Sequence, residues 1–271
     1  MPLSCERKGV LLWKACGRGA TVYLLGSIPT KEAEPAAMDP RIEAAFASSD
    51  ALVLESRVDI GAAKETEGAL SKAILLPPGD TLHGHLYPEL KTKLAARLAS
   101  EGGSIEGAQA VRPWALAVIL AQEARKRLGY PAARPIDRYF ADAGGKPVSY
   151  LQTPPEALST LTGLSESAET ECLAEALESS EKYEKSFPKA FRAWRRGDDA
   201  AFLAWHLESS RKYPRCESEF RGARLKLFMA RISPLFEEPK TTFVVVLATD
   251  LVGDDGIPAR LRAQGIDVVK L

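Results

Sequence analysis

Two carboxylates, Glu55 and Asp250, each follow a short apolar run, ALVLE and TFVVVLATD, and so stand where buried strands would hand the chain to its loops. Active sites of α/β sheets collect at such exits. The exits expected here are Ser27-Ile28-Pro29, Glu55-Ser56-Arg57, Gln152-Thr153 and Thr249-Asp250. Two carboxylates converging from separate strands can act as acid and base, or hold a divalent cation through oxygen. Their competing role is structural: capping the next helix or pairing with Arg57. Gln152 contributes a neutral amide, which is no base and a poor zinc ligand. Pro29 offers neither a side-chain polar group nor an N–H.

Other chemistry-bearing residues are scattered. His83 and His85 (LHGH) follow Pro77-Pro78-Gly79-Asp80 in an expected surface loop, and their spacing grips zinc only with a third ligand from elsewhere. His206, in AAFLAWHLE, reads as a half-buried, satisfied histidine. Trp194 and Trp205 near Lys189, Arg192, Arg195 and Arg196 could stack on nucleic acid, but acids flank them, and Lys+Arg and Asp+Glu balance at 36 each. That balance leaves no field to recruit nucleic acid or an anionic membrane, so the partner expected is a small molecule, peptide or protein. Cys5, Cys16, Cys172 and Cys216 form no C-x-x-C pair and are expected as buried thiols. Gly-rich phosphate loops, G-x-S-x-G elbows and H-E-x-x-H helices are missing from the sequence.

The elements that must position these residues follow from periodicity. Gly9 to Cys16 and Thr21 to Ile28 are apolar runs around Gly17-Arg18-Gly19, which predicts a β-hairpin. Asp39 to Ser49 predicts a helix, with Ile42, Ala45 and Phe46 on one face after an Asp-Pro start, and Ala51 to Glu55 a third strand. Helical periodicity dominates from about Gly61 to Tyr130 and again over Pro154 to Arg231, with a short helix from Ile136 and a strand at Lys146 to Leu151 between them. The clusters at Ser165 to Glu169 and Ser179 to Lys185 read as solvated helix faces. Thr242 to Leu247 is β-branched enough for a strand buried on both faces. Ile257 to Gln264 and Ile266 to Leu271 predict a closing helix and strand. The fold class expected is mixed α/β: a single central sheet built from N- and C-terminal strands, in one domain over residues 1–271, with helical insertions at about 61–134 and 154–232.

No apolar stretch reaches the ~20 residues of a membrane span. The start, MPLSCERKG, lacks the apolar region of a secretory signal. As written, the expectation is a cytoplasmic protein, with export or envelope association the alternative if the N-terminus is trimmed.

The ordered segments LLWKACGRGATVYLLGSI, IEAAFASSDALVLE, RPWALAVIL, PIDRYFADAGGKPVSYLQT and FVVVLATDLVGDDGIPARLRAQGIDVVKL resemble the TraB/GumN family over Leu11 to Leu271. That family is related to the Tiki metalloproteases and, by fold, to the erythromycin-esterase and ChaN-like proteins. The resemblance implies a metal-dependent hydrolase with two Gly-x-x-His motifs, a glutamate after an early strand and a second in an "LET" element. Here the first motif is Gly26-Ser27-Ile28-Pro29 and the second Leu247-Ala248-Thr249-Asp250. The "LET" element is Leu151-Gln152-Thr153, and an Arg-Asn pair usual before the last strands falls on Leu225-Lys226. Only Glu55 keeps the expected side chain.

The expectation is therefore a pseudoenzyme with no cofactor, whose binding cleft is Gly26, Ser27, Pro29, Glu55, Arg57, Gln152 and Asp250. Two alternatives stand beside it: a rebuilt carboxylate site in which Glu55 and Asp250 hold a divalent metal, and an interaction protein working through surface residues of its helical insertion such as Trp194 and Arg195. A third, borrowed from ChaN-like relatives, is haem on Tyr23, Tyr150 or His206.

Overall fold

The structure is a computed structural model that describes residues 10–30, 39–57, 60–130 and 135–271. Cys5 and the MPLSCERKG start lie outside the described residues. Strands β1 (Leu12–Gly17) and β2 (Ala20–Ser27) form the expected hairpin, Leu12 opposite Leu25 and Gly17 opposite Ala20. Its two turn residues, Arg18 and Gly19, have φ of 51° and 85°, the double left-handed conformation that matches the twist of the flanking strands.

Helix α1 (Pro40–Ala47) starts where Asp39 accepts a bond from the Arg41 N–H and Pro40 presets the first turn. It leads into β3 (Ala51–Leu54). Then come α2 (Ile60–Ala73), α3 (Leu82–His85), α4 (Pro88–Ser100), α5 (Pro113–Arg127) and α6 (Pro135–Asp142). After β4 (Val148–Tyr150), Thr153 and Glu156 form a reciprocal capping box that starts α7 (Pro154–Thr162). The helical stretch continues as α8 (Glu166–Arg195), α9 (Asp199–Ser210) and α10 (Pro214–Cys216), a π-helical turn at Glu217–Arg221, and α11 (Gly222–Ile232). The chain closes with β5 (Thr241–Leu247), α12 (Ile257–Ala263) and β6 (Asp267–Lys270).

The described strands make one mixed six-stranded sheet in the order β4-β3-β5-β2-β1-β6, so the fold is α/β as expected. Strands β2, β5, β3 and β4 run parallel, and β1 is antiparallel to both β2 and β6. β5 lies between β2 and β3, and Phe243 to Val246 are wholly buried there, the physical reason for its β-branched run. Phe46 of α1 and Phe140 of α6 pack on Phe243, ring centroids 5.5 and 4.9 Å away.

The 30-residue α8 links three apolar clusters, its Ala168 packing in a small one with Trp114, Ala115 and Leu164. Its Leu173 and Leu177 pack with Leu82, Leu90, Leu94 and Leu120, whereas its Phe187, Ala190 and Trp194 belong to the core of the sheet. Glu169 is no solvated side chain: it is buried and paired with Arg112, because α5 packs along α8. Cys172 and Cys216 are not separate thiols: they form a disulfide between α8 and α10. Spacing conceals that pair, since the two cysteines stand 44 positions apart in sequence. None of the described helices is long and apolar enough to cross a membrane.

Candidate functional site

Four adjacent parallel strands, β4, β3, β5 and β2, deliver their carboxyl ends to the same edge of the sheet. This is where the sequence places its candidates. Ser27 ends β2 and pairs with Leu247, which ends β5. Glu55 follows β3, Gln152 follows β4, and Asp250 ends the short 3-10 turn Ala248–Asp250 after β5. Ser27, Glu55, Gln152 and Asp250 are all buried, Asp250 completely. Pro29 and Arg57 are half-buried beyond the strand ends.

The structure brings three of these together. The Gln152 amide donates to Glu55 at 3.5 Å, and the Gln152 N–H donates to the Glu55 carbonyl at 3.0 Å. Glu55 also lies close enough to Asp250 for its charge to act on that carboxyl. Gly26 has a separate purpose. A side-chain carbon there would meet Cα and Cβ of Ala248 at 3.0 Å, so glycine is what allows the β2 and β5 exits to approach.

Asp250 is held by two arginines from the helical run before β5. Arg224, on α11, donates to Asp250 Oδ1 at 2.7 Å, and Arg221, at the end of the π turn, stands 3.8 Å from the same oxygen. Arg221 also donates to the carbonyls of Thr249 and Val252, at 3.0 and 3.3 Å. The turn bearing Asp250 is thus held through its side chain and its backbone together. Burial pushes the Asp250 carboxyl above the ordinary carboxylate range, with the negative charge of Glu55 adding to that push and Arg224 opposing it. Asp250 Oδ2, Gln152 Oε1, Ser27 Oγ and Thr30 Oγ1 are buried with no hydrogen-bond partner among the described residues. Unmet polar groups of this kind, lined along strand ends, are what a polar ligand or ordered water satisfies.

Sequence reasoning missed both arginines. It looked for the basic residue at Leu225-Lys226, but Leu225 is wholly buried and the guanidinium comes from the position before it. The i, i+3 spacing of Arg221 and Arg224 was a usable signal, since it puts two cations on one helix face. α11 reaches the sheet edge a second time: Arg231 donates to the Leu151 carbonyl and pairs with Glu156 at 2.8 Å. That guanidinium, helped by Thr153, holds the Glu156 carboxyl down to about 2. Trp194 was also misplaced. It is buried, and its indole N–H donates to the Gly26 carbonyl at 2.6 Å, so it is no surface for a partner or for stacking on bases.

The histidines lie elsewhere. His85 is on α3 rather than in a loop; its Nε2 and Nδ1 each stand 2.8 Å from a carboxylate, Asp80 and Glu166. Burial opposes its charge, but Asp80 and then Glu166 outweigh that and raise its pKa. His206 faces Glu217 at 3.2 Å, the satisfied role expected of it. Tyr23 and Tyr150 are on β2 and β4, with β5 and β3 between them.

The model of the TraB/PrgY/gumN family matches residues 11–270, from the edge of β1 to the end of β6. The chain belongs to the TraB/PrgY/gumN family. No curated protein and no solved structure matches it. Within this TraB/PrgY/gumN chain, no three His, Cys, Asp or Glu side chains are grouped to hold a metal ion among the described residues. The strand-end donor set is two carboxylates and an amide, with one carboxylate held by two arginines.

Proposed function

We propose that this TraB/PrgY/gumN protein is a pseudoenzyme: it has lost the metal-dependent hydrolase chemistry implied by its resemblance and keeps the strand-end cleft to bind a ligand or partner without turnover. One observation carries the reading. Asp250, standing where the resemblance puts the second histidine, is tied to Arg224 at 2.7 Å with Arg221 beside it. A divalent cation at that carboxylate would face two guanidinium charges at close range. Gln152 and Pro29 add no ligand of the type zinc takes. The same reading treats residues 1–271 as one domain with its helical insertions. It also favours the export alternative over the cytoplasm, because disulfides such as Cys172–Cys216 persist in oxidising compartments.

The rebuilt-carboxylate reading has one observation in its favour, the closeness of Glu55 to Asp250. Calorimetry separates the two. Chelator-stripped protein titrated with Zn²⁺, Mn²⁺, Co²⁺ and Mg²⁺ is expected to give no binding heat at micromolar concentrations, nor should Glu55→Gln or Asp250→Asn. Micromolar or tighter binding by the wild type, abolished in both variants, would replace the pseudoenzyme reading with a rebuilt metal site.

A further inference from the structure

The helix that supplies both arginines to Asp250 is itself fastened by a covalent bond. Cys216 closes α10, Glu217 opens the π turn that ends in Arg221, and Gly222 opens α11, so disulfide, Arg221 and Arg224 lie on one uninterrupted helical run. The other cysteine, Cys172, is on α8. Its neighbour Glu171 accepts the backbone N–H groups of Arg215 at 2.7 Å and Cys216 at 3.4 Å. A π turn is rare, has no great stability of its own and is frequent at functional sites. Here it is held at its start by the disulfide and Glu171, and on its flank by Glu217, which pairs with His206 and Arg221.

We propose that the Cys172–Cys216 disulfide is a redox-operated latch on the Asp250 lock. Oxidised, it holds the π turn so that Arg221 and Arg224 clamp Asp250; reduced, it lets the turn relax and releases the Asp250 carboxylate to the cleft. The latch goes beyond the pseudoenzyme reading and does not depend on what the cleft binds. The reductant is an external dithiol. Its thiolate attacks the sulfur of Cys172, the half-buried member of the pair, while Cys216 is buried. A mixed disulfide forms, and Cys216 leaves as a thiolate that takes a proton. The second thiol of the reductant, deprotonated, then displaces Cys172, which is protonated in turn. Two electrons and two protons pass to the protein, and the reductant departs as its own disulfide.

Hydrogen exchange of the full chain, read by mass spectrometry with and without dithiothreitol, tests this. The unreduced protein, once denatured, is expected to show two fewer reactive thiols than the reduced protein. Reduction is expected to speed exchange about tenfold or more in residues 214–224 and also in 248–252, with β2 and β5 unchanged. The Cys172→Ser/Cys216→Ser variant should show the reduced pattern throughout and ignore dithiothreitol. Equal thiol counts, faster exchange confined to 214–224, or a uniform rise over the whole chain would overturn the latch. A second arm uses Asp250→Asn, which removes the carboxylate end of the lock and keeps the Arg221 bonds to the Thr249 and Val252 carbonyls: the redox response at 248–252 should be smaller than in the wild type, and an undiminished response there would also reject the latch.

Discussion

Asp250 carries its own chemical signature. The side chain is fully buried, and burial together with the charge of Glu55 raises its pKa above the ordinary value of 3.8 despite Arg224. Between that value and the raised one, the folded protein keeps a proton that the unfolded chain has already released. Unfolding free energy therefore falls as pH rises through this window. Asp250→Asn cannot titrate, so its stability curve is expected to fall less between pH 4 and 8. Urea denaturation of wild type and variant across that pH range checks this; curves that run parallel would assign the titration to another group. Glu55 and Asp250 were legible as candidates because an acidic residue directly after an apolar run stands out. Arg224 was not, because nothing in GARLKLF says which helix face meets the sheet.

The elements around the site are fitted by close approach. β2 and β5 converge at Gly26, where an added methyl group would strike Ala248, and α8 is pinned to the same place by the Trp194 bond to the Gly26 carbonyl. Gly26→Ala is expected to cost about 1–3 kcal/mol through overpacking. Gly68 supplies the contrast: it lies within α2 with nothing near its missing side chain. Gly68→Ala is expected to stabilise by up to about 1 kcal/mol through helix propensity. Thermal unfolding of the two variants should shift in opposite directions, and a shift of the same sign would show that the β2–β5 approach is not tight. Element types were readable from the sequence because strand and helix periods differ. Their contacts are not, and so a reading along the chain leaves Glu169 on a solvated face and Trp194 on the surface, where the packed structure buries both.

Across the whole molecule, the three apolar clusters of the described residues meet along α8, and the Cys172–Cys216 bond fastens that helix to the run leading into α11. Closing a 44-residue separation limits the unfolded chain, a constraint worth about 2–4 kcal/mol. The Cys172→Ser/Cys216→Ser variant is therefore expected to melt roughly 5–10 °C below the wild type under non-reducing conditions. In dithiothreitol the two proteins should melt together. A difference that survives reduction would locate the effect in side-chain packing instead.

The sequence by itself determined the strands, most of the helices, the mixed α/β class and the family, because these rest on local periodicity, turn residues and the order of segments along the chain. It also determined which side chains arrive at the strand ends, since Ser27, Glu55, Gln152 and Asp250 each follow a recognisable strand. Only the tertiary structure decided what those side chains meet. The Asp250–Arg224 bond, the Trp194–Gly26 bond and the Cys172–Cys216 disulfide all join separate elements. Such pairings depend on how helices are rotated and laid against the sheet, and one sequence read residue by residue carries no period or spacing that encodes them.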